Sequence, residues 1–246
     1  MIDQKKFLDH LQTTGVEFIT GVPDTLLNDF CLNVEAQWPR DRHVIAANEG
    51  NAIALAAGYH LVTGSVPLVY MQNSGLGNAI NPLISLTSKE VYSIPMVLLI
   101  GWRGAPDNKD WAQHKKQGEL TPVLLDSLDI PYQVIDNDGV DAFNSTRWAV
   151  LNAQKLNGPV ALLANKGVFE KGKKIETDNQ DNRYKMSREN AIECVLKCVP
   201  EDTIFVATTG RASRELYELR NLSGTGHDMD FLNVGAMGHA SSISTG

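Results

Sequence analysis

A chain of 246 residues, 43% hydrophobic and 21% charged, is that of a globular protein with material for one large domain or two smaller ones. Its formal net charge of −7 argues against a nucleic-acid or anionic-membrane surface, and no apolar run approaches the roughly 18 residues of a membrane span. The N-terminus, Met1-Ile2-Asp3-Gln4-Lys5-Lys6, lacks the apolar core of a signal peptide, so the expected compartment is the cytoplasm.

In chain order, Asp3 is placed to cap a helix that turns Phe7, Leu8 and Leu11 inward and ends at Gly15. Residues 16–20 read as a strand entering the turn Gly21-Val22-Pro23-Asp24-Thr25, and a helix follows. Residues 44–47 form an apolar strand, the chain turns at Asn48-Glu49-Gly50, and an Ala-rich segment to Tyr59 has the composition of a buried helix. Glu49 therefore falls where a strand gives way to a helix, at the crevice where open α/β sheets hold ligands. Taken alone, an Asn cap and a carboxylate complementing the helix dipole would account for it. The strand over 67–71 ends in Gln72-Asn73-Ser74-Gly75-Leu76-Gly77-Asn78. The strand over 96–100 leads into a long polar loop, residues 101–117. Apolar runs at 132–135 and 160–164 complete a set of about six. Strands apolar on both faces and separated by helix-length segments define an α/β fold with a doubly wound parallel sheet.

Residues 169–186 are rich in charge and poor in apolar side chains, which reads as a linker between one domain over 1–168 and a second over 187–246. Ser187 caps a helix in which Cys194 and Cys198 share a face. Two small buried hydrophobes are expected there rather than a metal or redox pair. A strand over 203–207 ends in Thr208-Thr209-Gly210-Arg211, and a second over 230–234 ends in Gly235-Ala236-Met237-Gly238-His239. One or two strands leave a parallel sheet uncovered, so this second domain is expected to be incomplete.

Four strand-end runs now line up: Gly21-Val22-Pro23-Asp24-Thr25, Asn48-Glu49-Gly50, the run from Gln72 to Asn78, and Gln113-His114-Lys115-Lys116-Gln117-Gly118. With Gly101-Trp102-Arg103-Gly104 they resemble the pyrimidine-binding domain of thiamine-diphosphate-dependent 2-oxo acid decarboxylases. The likeness is to the branch acting on phosphonate- and sulfonate-tailed acids. The 209–216 run and the turn at 235–239 resemble the start of that family's diphosphate-binding domain. The resemblance implies the thiamine-diphosphate-binding fold, thiamine diphosphate as cofactor, and decarboxylation of 3-phosphonopyruvate to phosphonoacetaldehyde and CO₂. The sulfonate analogue is the alternative substrate, and a truncated non-catalytic chain offering only the Glu49 face is a further alternative.

The resemblance also assigns residues. Glu49 would meet the ring nitrogen of the aminopyrimidine, with Asn73, Ser74, Gly75, Thr209 and Gly210 as further cofactor contacts. The Gly235 carbonyl would accept the amino group, and Met237 would be the fulcrum of the bent cofactor. Asp24 and His114 fall on the acid/base positions. Thr25, Arg103, Lys109, Lys115 and Lys116 are candidates to hold the anionic tail of the small 2-oxo acid. The family's Gly-Asp-Gly motif and following Asn are absent from residues 1–246. Mg²⁺ is therefore expected to be held from beyond Gly246, with no metal ligand here, and these residues alone are not expected to turn over substrate. Active centres shared between chains imply a homodimer or larger homo-oligomer, with no nucleic-acid or membrane partner. A nicotinamide-binding reading lacks its Gly-x-Gly-x-x-Gly.

Overall fold

The Asp3 carboxylate accepts the Lys6 N–H at 2.9 Å, and the chain enters α1 (Gln4–Thr13), which buries Phe7, Leu8 and Leu11. In this computed structural model, which describes residues 1–106, 108–135, 139–171, 185–236 and 238–246, the chain divides into two compact units, Met1–Ile175 and Glu176–Gly246. The first continues with β1 (Ile19–Gly21), α2 (Asn28–Gln37), β2 (His43–Ile45), α3 (Glu49–Thr63), β3 (Leu68–Gln72) and α4 (Leu76–Pro82). Then follow β4 (Met96–Gly101), α5 (Ala112–Ser127), β5 (Tyr132–Ile135), α6 (Gly139–Leu156) and β6 (Pro159–Ala164). Every strand pairing is parallel, in the order β2-β1-β3-β4-β6-β5.

The alternation of side chains along each strand separates two cores. Leu68, Tyr70, Val97, Leu99, Val160 and Leu162 meet Phe7, Leu11, Phe30 and Val34 from α1 and α2 on one face. Val69, Met71, Leu98, Ile100, Ala161 and Leu163 meet Ala52, Ile53, Leu76 and Leu125 from α3, α4 and α5 on the other. The chain passes from β1 to β2 over the first face, then returns over the second to place β3 on the far side of β1. Between β1 and β3 lies the switch point at which doubly wound sheets open a ligand crevice.

Three sequence expectations change. The helix after Glu49 is buried on one side only: Ala52, Ile53, Ala56 and Ala57 face inward, while Leu61 and Val62 are 69% and 86% exposed. The reason is that β2 is an edge strand, with Ile45 itself 55% exposed, so among the described residues no element beyond it covers α3. Residues 112–117, expected within a loop, are the first turns of α5, because Gln and Lys are good helix formers and no breaker intervenes before Gly118. Phe169, expected in the linker, packs edge-on against Phe7 and stacks near Phe30 at centroid distances of 5.2 and 5.6 Å. Most of the expected linker, residues 172–184, lies outside the described residues.

The second unit comprises α7 (Arg188–Cys198), β7 (Phe205–Ala207), α8 (Arg211–Ser223), β8 (Asp230–Leu232) and α9 (Ala240–Thr245), with β7 and β8 paired in parallel. Ser187 caps α7 by accepting the Asn190 N–H at 3.1 Å. Cys194 and Cys198 are exposed rather than buried, because α7 half-buries Ala191, Ile192 and Leu196 and leaves the cysteines on its outward side. Arg220 reaches the fully buried Asp230 carboxylate at 3.0 and 3.2 Å and lies over the Phe205 ring. Phe231 of this two-stranded sheet is 51% exposed. Among the described residues no helix is long and apolar enough to cross a membrane.

Candidate active site

Because β2, β1, β3 and β4 are neighbours, the four turns at their carboxyl ends converge on one edge of the sheet. Glu49 is the first residue of α3, whose preceding Asn48 accepts the Asn51 N–H at 2.9 Å. Its side chain is buried, and Asn78 Nδ2 donates to Oε2 at 2.8 Å. A Cβ at Gly75 would fall on the Glu49 carboxyl, and one at Gly50 would stand 2.9 Å from the Asn78 carbonyl oxygen. Glycine at both places lets the start of α3 and the turn after β3 close around the carboxylate.

Asp24, in the turn after β1, is the second buried acid. It is 6% exposed, and neither carboxylate oxygen meets a described donor in hydrogen-bond geometry. Burial pushes its pKa from an ordinary 3.8 up to about 6, against the pull of nearby main-chain N–H groups and of the Arg103 guanidinium. One Asp24 oxygen fills the space that a side chain on Gly101 would need. Arg103 is itself held: Nε and Nη2 fork onto Asp110 at 2.7 and 2.6 Å, and Nη1 donates to Thr25 Oγ1 at 3.2 Å. Arg103, chiefly through its hydrogen bonds, keeps Asp110 well below the usual carboxylate range. His114, in the first turn of α5 and half-buried, has its pKa lowered by burial and then by the Arg103 cation, with Asp110 opposing.

The remaining expected residues separate into groups. The Asn73 amide is used inside the protein: Nδ2 donates to the Arg103 carbonyl (2.8 Å) and Thr121 Oγ1 (2.9 Å), and Oδ1 accepts the Arg103 N–H (3.2 Å). The Asn73 main-chain carbonyl accepts the Leu76 N–H as well. Ser74 Oγ accepts from Gln72 Nε2 at 2.6 Å, and Gly75 backs Glu49 as described. Thr25 is exposed and bonded to Arg103. Lys109, Lys115 and Lys116 are exposed, with Lys116 paired to Glu119 at 3.2 Å, so of the four basic candidates Arg103 is the one beside the buried acid. In the second unit, Thr209 is half-buried after β7, Gly210 precedes α8 with φ +92°, and the Gly235 N–H donates to Asn233 Oδ1 at 3.2 Å. Met237 lies outside the described residues. Asn78, Asp110 and Thr121 were not expected. Asn78 had a signal, three residues past Gly75 in a named run; Asp110 and Thr121 had none.

A buried carboxyl group at a strand end, walled by glycines and an Ala-rich helix, has the chemistry to share a proton with a ring nitrogen of a flat heterocycle. The fold and this site define a cofactor-binding α/β domain. A family model described as "Thiamine pyrophosphate enzyme, N-terminal TPP binding domain" matches residues 4–126, and the chain belongs to this family. Over its full length it is 34% identical to phosphonopyruvate decarboxylase of Streptomyces viridochromogenes, and it spans 63% of that protein's length. It is 34% identical over half its length to the alpha subunit of sulfopyruvate decarboxylase of Methanothermobacter thermautotrophicus, covering 72% of that subunit. The structure of benzoylformate decarboxylase from Polynucleobacter necessarius superposes with a TM-score of 0.52 at 18% identity, over 80% of this chain and 36% of that one. That likeness carries the fold.

Proposed function

We propose that this chain serves the thiamine-diphosphate-dependent decarboxylation of 3-phosphonopyruvate to phosphonoacetaldehyde and CO₂. The observation that carries the reading is the whole-length match to a phosphonopyruvate decarboxylase, with Glu49 buried against Gly75 and oriented by Asn78. Bound thiamine diphosphate supplies an electron sink for the pair left behind as CO₂ departs. Glu49 holds a proton at the pyrimidine ring nitrogen, on a helix start too rigid to let it swing away. Asp24, with a pKa near 6, gives and takes a proton close to neutral pH, and His114, its pKa lowered, serves as a neutral acceptor. Arg103 faces the anionic tail from a fixed position, with Thr25 beside it.

In the same reading the first unit is the pyrimidine-binding domain and the second the start of the diphosphate-binding domain. Thr209, Gly210 and Gly235 would contribute further cofactor contacts, and Mg²⁺ would neutralise the diphosphate. The assembly is a homodimer or larger, located in the cytoplasm. Sulfopyruvate is the second reading, supported by the match of the first unit to a sulfopyruvate decarboxylase subunit. The test is to assay the full-length protein with thiamine diphosphate and Mg²⁺ on both acids side by side. A kcat/KM at least about tenfold higher on 3-phosphonopyruvate is expected. The reverse ranking would favour the sulfonate reading, and turnover of neither acid would overturn both.

A further inference from the structure

The loop after β4 folds back on a single carboxylate. Asp110 accepts four N–H donors: Arg103 Nε (2.7 Å) and Nη2 (2.6 Å), and the main-chain N–H groups of Gly104 (3.0 Å) and Trp111 (2.8 Å). Both oxygens are engaged and the side chain is only 11% exposed. The two main-chain donors stand at opposite ends of the loop, so one carboxylate ties its start to the residue before α5. The other two donors fix the plane of the guanidinium, whose third nitrogen reaches Thr25 on the turn that carries Asp24. The β1 turn, the β4 loop and the start of α5 are thereby joined through one side chain.

We propose that Asp110 is a positioning residue for the substrate pocket, setting where the Arg103 guanidinium sits against the Asp24 turn and how the first turn of α5, with His114, is held. This rests on the reading that Asp24 and Arg103 face the substrate. A carboxylate that merely capped the loop would make the two main-chain bonds alone. Asp110 in addition takes the Arg103 fork, while Asp24 feels the same cation through space. Two acids thus share one guanidinium, and the share each takes can be measured.

Among the described residues, the groups facing Asp24 are Arg103 from the β4 loop, Cys31 from α2, and the N–H groups of Thr25, Leu26 and Leu27 in its own turn. Burial pushes the Cys31 thiol up to about 12, so it stays neutral. Asp110 and His114 each interact with Arg103, the cation that Asp24 feels. Removing the Asp110 charge leaves the cation wholly to Asp24, whereas removing Arg103 leaves Asp24 with none.

The experiment follows the Asp24 titration by ¹³C carboxyl NMR of the full-length protein, with the signal identified by its loss in Asp24→Asn. Asp110→Asn is expected to lower the Asp24 midpoint by about half a unit or more, and Arg103→Gln to raise it. In parallel, Asp110→Asn should raise KM for 3-phosphonopyruvate about tenfold with a smaller change in kcat, since an anchor for the substrate tail has been loosened. Should Asp110→Asn lose the native circular dichroism spectrum, Asp110→Ser, which keeps an acceptor for the loop, must move the midpoint in the same direction. Shifts of the same sign in the Asp110 and Arg103 variants, or no shift in either, would make Asp110 a loop cap only. A parent protein inactive on both acids counts against the decarboxylase reading, while the titration still decides the positioning role.

Discussion

Asp24 makes the stability of the first unit depend on pH. Its folded pKa of about 6 lies above the ordinary 3.8, so between those values the folded protein keeps a proton that the unfolded chain has released. Stability is therefore lost as pH rises from about 4 to about 6, by roughly 2–3 kcal/mol at 1.36 kcal/mol per unit. Asp24→Asn removes that penalty. Urea unfolding should show the variant more stable than the parent at pH 7.5 by up to about that amount, with the difference gone near pH 4. A gain of equal size at both pH values would mean that desolvation of the charge is not its source. Glu49→Gln should behave otherwise. The cap bond from Asn48 survives, so stability should change by about 1 kcal/mol or less, while decarboxylation should fall about a hundredfold or more if Glu49 handles the ring proton. Unfolding curves and single-turnover rates check the two halves of that statement. Glu49 was legible because three other strand-end runs keep it company; alone it reads as a helix cap. Asp110 was not, since its four donors meet only once the loop has folded.

The elements differ in how plainly the sequence announces them. β4 and β6 are buried at every residue, and such unbroken apolar runs have few readings other than central parallel strands. β2 reads as equally apolar yet lies at the sheet edge, because composition records what a strand can bury and not what lies beside it. The start of α5 was hidden for a different reason. Gly118 inside a helix and the polar run before it resemble a loop until the partner is seen: Gly118 lies against the main chain of Gly104, whose φ is +68°, and its carbonyl accepts Trp102 Nε1 at 2.9 Å. A helical Gly→Ala change normally stabilises by about 1 kcal/mol. At Gly118 the new methyl would meet the Gly104 carbonyl, so Gly118→Ala should instead destabilise by about 1–3 kcal/mol, read as a lower urea midpoint at constant m. A stabilised variant would mean that the β4 loop can step aside, and with it Arg103.

At the scale of the whole molecule, the outward face of α3 carries Leu55, Leu61 and Val62, all exposed, one helix turn and more beyond Glu49. An apolar stripe on the helix that begins at the candidate catalytic carboxylate is where the proposed homo-oligomer is expected to close. The double substitution Leu61→Glu, Val62→Lys should shift sedimentation velocity toward the monomer and reduce turnover with it. Unchanged sedimentation would place the interface on another surface. The first unit also has a seam. The Ile2 N–H donates to the Val168 carbonyl at 2.7 Å, and the Glu170 N–H donates to the Ile2 carbonyl at 3.0 Å, so the chain leaves this unit beside the point where it entered. A module whose entrance and exit coincide can be inserted, transferred or encoded as a separate gene without re-threading its sheet. On this geometry the first unit is a portable cassette, and fusion to another unit or division from it is a change of genetic punctuation rather than of fold.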